Sequence, residues 1–205
     1  MKQAAVGFCV HSGWSAVVAL SMTERSPVVE IRERVQLVDE FTFRLRQPYH
    51  TAENMPLVEA REFIDKVRKT AGHLAHRSIR SLQERLHEHG CELNRGTLLL
   101  ASGKRLPELE AVLESHALIH TADGELFREA IREAGSHCGL RLLRVREKEL
   151  LKRASQQSGR SEAVLLRQAK ELGRPFGSPW SRDEKFATLA AWLALLDVPL
   201  AEHAS

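Results

Sequence analysis

The stretch AAVGFCVHSGWSAVVALS, residues 4–21, decides the fold. Two short apolar runs, 4–10 and 15–21, flank the polar segment 11–14, which contains Gly13. Apolar runs on either side of a polar turn with a glycine are typical of a β-hairpin. We therefore predict that two antiparallel strands open the chain.

A third strand is predicted directly after this hairpin. A turn at 23–27 leads into residues 28–37, where apolar and charged residues alternate for much of the length. Such alternation is typical of a strand that faces solvent on one side. Segment 39–56 contains Pro48 and Pro56 around polar residues, and it is predicted to be a loop.

A long amphipathic helix is predicted over residues 57–89. Its apolar positions recur at the helical period and form one stripe, and Gly90 supplies a stop signal. The stripe consists of Ala60, Phe63, Ile64, Val67, Ala71, Leu74, Ala75, Ile79, Leu82 and Leu86.

The rest of the chain alternates between predicted strands and helices. Apolar runs at 97–101 and 140–145 predict two further strands. Helices are predicted at 107–115, 124–138, 147–158, 161–172 and 182–196. This order predicts an α/β fold, in which three antiparallel strands and two strand-helix crossovers form a mixed sheet with helices on its faces. One domain is expected over 1–205, with a helical C-terminal part at 147–196.

Composition excludes several classes of protein. The chain has 205 residues, 43% of them hydrophobic and 28% charged, so disorder and collagen are excluded. The formal net charge of +3 permits a polyanion as partner without requiring one. Three cysteines, at positions 9, 91 and 138, form no Cys-x-x-Cys pair, which argues against a disulfide framework and a structural zinc site. With no membrane span and no signal peptide in the sequence, we expect a cytoplasmic protein without a membrane partner.

Both ends of the chain carry a resemblance to a known family. Residues 6–18, with Gly7 and the Gly13-Trp14 pair, and residues 182–193, with Asp183 ahead of an alanine-leucine run, resemble the crossover-junction resolvase (RuvC-like) branch of the ribonuclease H-like fold. The predicted order of strands and helices also resembles the ribonuclease H-like fold, and the resemblance covers nearly the whole chain. It also implies a nucleic acid as the candidate partner and Mg²⁺ or Mn²⁺ as the candidate cofactor.

The sequence differs from that family at the positions where the family carries its catalytic acidic residues. The family's first strand ends in a Gly-x-Asp-x-Gly pattern, whereas this strand offers Cys9 and His11, and the strand at 97–101 contains no acid. Two-metal phosphodiester cleavage requires several carboxylates that converge on the ions, and only Asp183 and Glu184 stand at family-like positions. We therefore expect a catalytically degenerate domain that binds nucleic acid or acts as a scaffold.

An enzyme with an atypical site is the main alternative. A hydrolase or nuclease could use polar residues at the strand ends, where open α/β sheets bind their ligands. The candidate residues are His11, Ser12, Lys104, His116, His120, Asp183 and Glu184. An actin-like or sugar-kinase-like ATPase is disfavoured, because that family holds its nucleotide between two such domains. The substrate, the pathway and the oligomeric state are left open.

Each candidate can also be accounted for by a purely structural role. Ser181 and Glu184 fit a capping box at the start of the last helix. His116 and His120 are spaced like half of a metal site but are also compatible with packed or helix-end histidines. Lys104 could help to hold an anion where a strand turns into a helix, or it could belong to an ordinary strand-helix turn. Cys9, His11 and Ser12 could form a nucleophile and base, or a buried cysteine followed by a turn.

Overall fold

The computed structural model describes residues 1–24, 26–101 and 105–197. Five strands form one sheet in the order β3-β2-β1-β4-β5. The strands are β1 (Lys2–His11), β2 (Trp14–Met22), β3 (Pro27–Gln36), β4 (Cys91–Leu100) and β5 (Arg141–Arg146). The first three strands pair antiparallel, and β4 and β5 then run parallel to β1. The predicted mixed sheet is confirmed.

The helices lie on both faces of this sheet. They are α1 (Phe43–Arg46), α2 (Pro48–Ala52), α3 (Leu57–Glu88), α4 (Leu109–Leu113), α5 (His116–His137), α6 (Leu150–Ser158), α7 (Glu162–Leu172) and α8 (Arg182–Leu196), with single 3₁₀ turns at Glu147–Glu149 and Arg174–Phe176. Helices α3 and α5 share one hydrophobic core with the sheet, and α6, α7 and α8 share the other. In the described part of the chain, no helix is both long and apolar enough to span a membrane.

Three predicted boundaries are wrong. Segment 39–56 is not a plain loop, because it contains α1 and α2. Helix α5 begins at His116 instead of Gly124, and β4 begins at Cys91 instead of Thr97. Burial accounts for the three differences, because each of these segments contributes residues to the core. The residues are Tyr49 and Ala52 of α2, Ile119 and Ala122 of α5, and Cys91 and Leu93 of β4.

Alternation along β1 decides which residues meet α8. Ala4, Val6 and Phe8 point toward α3 and α5, whereas Ala5 and Cys9 belong to the core on the α8 side. His11 is two residues beyond Cys9 and therefore shares the α8 side of the strand.

The close contact between β1 and α8 depends on Gly7. A Cβ atom at this position would lie 1.9 Å from the carbonyl oxygen of Ala187 and 2.7 Å from the backbone nitrogen of Ala191. Only glycine permits this approach of helix backbone to strand backbone. Helix α8 is buried along residues 187–195, and its first turn comes to lie over the end of β1.

Candidate functional site

Three side chains from the two ends of the chain meet where β1 ends. We call Cys9, His11 and Asp183 the strand-end cluster. Nε2 of His11 lies 3.0 Å from Oδ2 of Asp183, and Sγ of Cys9 lies 3.9 Å from Oδ1 of the same carboxylate. Sγ of Cys9 is 4.0 Å from Nε2 of His11. Because a carboxylate only accepts hydrogen bonds, Nε2 of His11 is the donor.

The Cys9 thiol is poorly suited to nucleophilic chemistry. Burial, together with the nearby carboxylates of Asp183 and Glu147, raises the pKa of Cys9 to about 12. A thiol with this pKa stays protonated at neutral pH, and only the thiolate is a good nucleophile. Cys9 therefore acts as a buried polar packing residue beneath His11 and Asp183.

His11 is more accessible than its two neighbours. Its side chain is 39% exposed, and its ring stacks on Trp14 with the centroids 4.5 Å apart. Because Nε2 is hydrogen-bonded to Asp183, a ligand that contacts the ring through a nitrogen would do so at Nδ1.

The other acids around the cluster are engaged by arginines. Oε1 of Glu184 lies 2.9 Å from Nη2 of Arg32, and Oε1 of Glu147 lies 2.5 Å from Nη2 of Arg182. Glu184 also completes the predicted capping box with Ser181, which is confirmed. Burial opposes ionisation of Glu184, but hydrogen bonds from Ser181 and Arg32 prevail and hold its pKa below the ordinary value.

This donor set does not suit a pair of magnesium ions. Mg²⁺ requires near-octahedral oxygen ligands, whereas the strand-end cluster offers a thiol, an imidazole and one carboxylate. The nearby carboxylates of Glu147 and Glu184 are already paired with arginines. The residues therefore do not fit the two-metal centre that the resemblance implies.

Of the remaining sequence-predicted residues, Ser12 directly follows His11 in the chain, whereas His116 and His120 belong to a different group of side chains. The backbone carbonyl of Ser12 accepts a long hydrogen bond, 3.5 Å, from Nε of Arg46. Lys104 lies outside the described residues. His116 and His120 lie on α5. Arg128 of the same helix donates a hydrogen bond to the carbonyl of Val10, the residue before His11. His120 is about 12 Å from Arg128 along the helix axis.

His116 and His120 instead meet a third histidine. We call His50, His116 and His120 the histidine cluster. The Nε2 atoms of His116 and His120 are 3.1 Å apart, and the His50 ring lies 4.4 Å from that of His120, centroid to centroid. Nδ1 of His50 is 2.5 Å from Oδ2 of Asp123, a carboxylate that is itself buried.

A surface of arginines and aromatic rings borders the strand-end cluster. Trp14, Arg34, Phe41 and Arg46 form what we call the arginine-aromatic patch. The guanidinium carbon of Arg34 lies 3.9 Å from the centre of the Trp14 ring, and that of Arg46 lies 4.4 Å from the centre of Phe41. Phe41 and Arg34 are exposed, and Trp14 connects the patch to His11.

Sequence reasoning missed the partners that complete these groups. His50 lies in a segment predicted to be a loop, and Asp123 lies ahead of the predicted start of its helix. The sequence also does not show that Trp14 and Phe41 approach the same arginine, Arg34. Asp123 is close to His120 in the sequence and therefore a visible neighbour of the possible metal half-site, but its contact with His50 is not visible there.

Comparison of the chain with solved structures identifies its fold. RuvC of Thermus thermophilus in complex with a Holliday junction substrate matches with a TM-score of 0.52 and 10% identity, over 95% of this chain and 93% of that chain. A second Thermus thermophilus RuvC structure matches with a TM-score of 0.53 and 9% identity, over 94% of this chain and 93% of that chain. The fold is ribonuclease H-like.

The ribonuclease H-like fold was predicted from the order of strands and helices and from the two chain ends, and it is confirmed. No family model matches the sequence, and no curated protein matches it. With 9–10% identity to RuvC, the likeness concerns the ribonuclease H-like fold alone.

Proposed function

We propose that this ribonuclease H-like chain binds nucleic acid where β1 ends and does not cleave it by a two-metal carboxylate mechanism. The observation that carries the proposal is the arginine-aromatic patch beside the strand-end cluster. Cations attract phosphates, and aromatic rings stack on unpaired or splayed bases. The structural neighbour RuvC is described in complex with a Holliday junction, which makes branched DNA the first substrate to test.

The contacts between carboxylates and basic side chains support the proposal that the chain does not cleave nucleic acid with two metal ions. In a two-metal nuclease, carboxylates hold the ions that neutralise charge on the attacking and leaving oxygens. Here Asp183 binds His11, Glu184 binds Arg32 and Glu147 binds Arg182. These carboxylates are therefore already bound by side chains of the protein, which supports the absence of a metal pair from the proposed function.

The proposed nucleic-acid binding is tested with a substitution in the arginine-aromatic patch. Fluorescence anisotropy with a labelled four-way junction, a duplex and a single strand would be recorded over a salt series. Arg34→Ala removes an exposed cation that contacts Trp14 and is expected to weaken binding and to reduce the salt slope by about one. Arg167→Ala removes an exposed arginine of α7 and is the matched control.

Two results would reject the binding proposal. One is equal loss of affinity in Arg34→Ala and Arg167→Ala, because the attraction would then arise from net charge alone. The other is the absence of binding by the unsubstituted protein at low salt.

The His11–Asp183 pair favours a second candidate function. A histidine held by a carboxylate can act as a general base toward water, and His11 is accessible enough to meet a substrate. The candidate is a hydrolase that cleaves phosphodiesters without a metal pair. Cleavage that survives chelation and is lost in His11→Ala would establish it, whereas an intact substrate under the same conditions would reject it.

A further inference from the structure

The histidine cluster joins two elements that are far apart in sequence. His50 belongs to α2, and His116 and His120 belong to the first two turns of α5. One ring nitrogen from each of the three lies within 4.8 Å of those of the other two. His116 and His120 are exposed, while His50 is half-buried, so the cluster is accessible from solvent.

We propose that His50, His116 and His120 bind a divalent transition metal ion of the zinc class. Imidazole nitrogens suit Zn²⁺, Co²⁺ and Ni²⁺ and do not suit Mg²⁺. Zinc binds histidine at about 2.0–2.1 Å in tetrahedral geometry, which separates two ligand nitrogens by about 3.3 Å. The Nε2 atoms of His116 and His120 are 3.1 Å apart, close to that spacing.

Asp123 supplies the support that metal-binding histidines usually have. Nδ1 of His50 donates to Oδ2 of Asp123 over 2.5 Å, and the backbone N–H of Tyr49 donates to Oδ1 over 2.7 Å. Asp123 is 2% exposed. A carboxylate that receives Nδ1–H fixes the tautomer in which Nε2 carries the lone pair for a metal.

The exposed side of the cluster leaves a position for a further ligand. Three protein ligands with an open fourth position are typical of zinc sites that bind water or a small anion. A metal here would also tie the segment of α1 and α2 to α5. This site is separate from the strand-end cluster, and it does not depend on the proposed nucleic-acid binding.

The test is a metal titration of the full chain after chelation. Co²⁺ serves as the optical probe and Zn²⁺ as its competitor, with stoichiometry measured by elemental analysis. We expect one ion per chain, displaced by Zn²⁺, and a rise in Tm of roughly 5–10 °C at a hundredfold excess of metal over Kd. His116→Ala and His120→Ala are each expected to lower the affinity at least tenfold.

Two further variants test whether the histidine cluster itself holds the ion. His73→Ala removes an exposed histidine from α3 and should leave binding unchanged. Asp123→Asn is expected to weaken binding about 10- to 100-fold while the stoichiometry remains one, and its Tm in chelator shows whether the fold survives. Binding that persists in both His116→Ala and His120→Ala, or that is lost in His11→Ala instead, would overturn the proposal, as would no binding at all.

Discussion

Nε2 of His11 lies 3.0 Å from Oδ2 of Asp183, so the end of the first strand is joined to the start of the last helix. The side chains are 39% and 21% exposed, and solvent-exposed pairs of this kind contribute about 0–1 kcal/mol. Asp183 also lies in the first turn of α8, where a negative charge contributes about 0.3–1 kcal/mol.

Asp183→Asn is therefore expected to lower the free energy of unfolding by no more than about 1–2 kcal/mol, measured by urea denaturation. Glu162→Gln, which removes a first-turn acid of α7, is the control for the helix-end effect alone. A loss above about 3 kcal/mol would show a strongly coupled buried pair, contrary to this account.

Gly7→Ala is expected to be among the most destabilising single substitutions. The new Cβ would lie 1.9 Å from the carbonyl oxygen of Ala187, and backbone cannot move aside as a side chain can. Overpacking usually costs about 1–3 kcal/mol, and this case should reach or exceed that range. Thermal or urea unfolding measures it.

Gly72→Ala is the matched control for that substitution. Gly72 is inside α3, and an added Cβ meets nothing within 4 Å. Replacing this glycine is expected to stabilise the protein by about 0.5–1 kcal/mol. Similar effects of the two substitutions would contradict the close packing of α8 on β1.

Glu184 has two separable roles. Glu184→Gln keeps a side chain that can complete the capping box with Ser181 but loses the charge that faces Arg32, whereas Glu184→Ala loses both. We expect alanine to cost about 1–2 kcal/mol and glutamine less. An equal loss of unfolding free energy in the two variants would show that the capping box does not contribute to stability.

The same carboxylate gives a pH dependence with a defined sign. Because the pKa of Glu184 is lowered in the folded chain, its contribution is present above the ordinary carboxyl pKa and is lost as pH falls. The stability difference between the unsubstituted protein and Glu184→Gln should therefore shrink in acid. A difference that grows as pH falls would contradict this assignment.

Cys9 is expected to make the folded protein less stable as pH rises in the alkaline range, whereas Glu184 makes it less stable as pH falls. Burial and the carboxylates of Asp183 and Glu147 raise its pKa from 9.0 to about 12, so the unfolded chain ionises first as pH rises. Stability is expected to fall by about 1.4 kcal/mol per pH unit between these values. Cys9→Ala should flatten this alkaline decline.

Thiol labelling tests the protonated state of Cys9 directly. At pH 8, an alkylating reagent is expected to modify the partly exposed Cys138 before the buried Cys9. Mass spectrometry of the labelled peptides measures the order. Faster labelling of Cys9 would indicate a reactive thiolate in the strand-end cluster.

The sequence predicted the elements that carry a strong local pattern. The hairpin of β1 and β2 follows from two apolar runs around Gly13, and α8 was predicted with its boundaries 182–196 and its capping box. Helices α1 and α2 are too short to show a helical period, and they depend on burial of residues such as Tyr49.

The sites were less predictable, because they depend on packing between distant elements. His11 and Asp183 were candidates, but their contact requires α8 to sit on β1 at Gly7. His50 and Asp123 show no shared pattern, since they are joined only when α2 packs against α5. Local periodicity specifies an element but does not specify which elements meet.

The most direct test of the central claim reads binding and cleavage in one sample. A labelled four-way junction is incubated with the protein in Mg²⁺ and, separately, in Mn²⁺, over a salt series, and is analysed on native and denaturing gels. We expect a complex that weakens as salt is added and a substrate that stays intact. Cleavage that requires the metal and disappears in Asp183→Asn, or no complex at low salt, would contradict it.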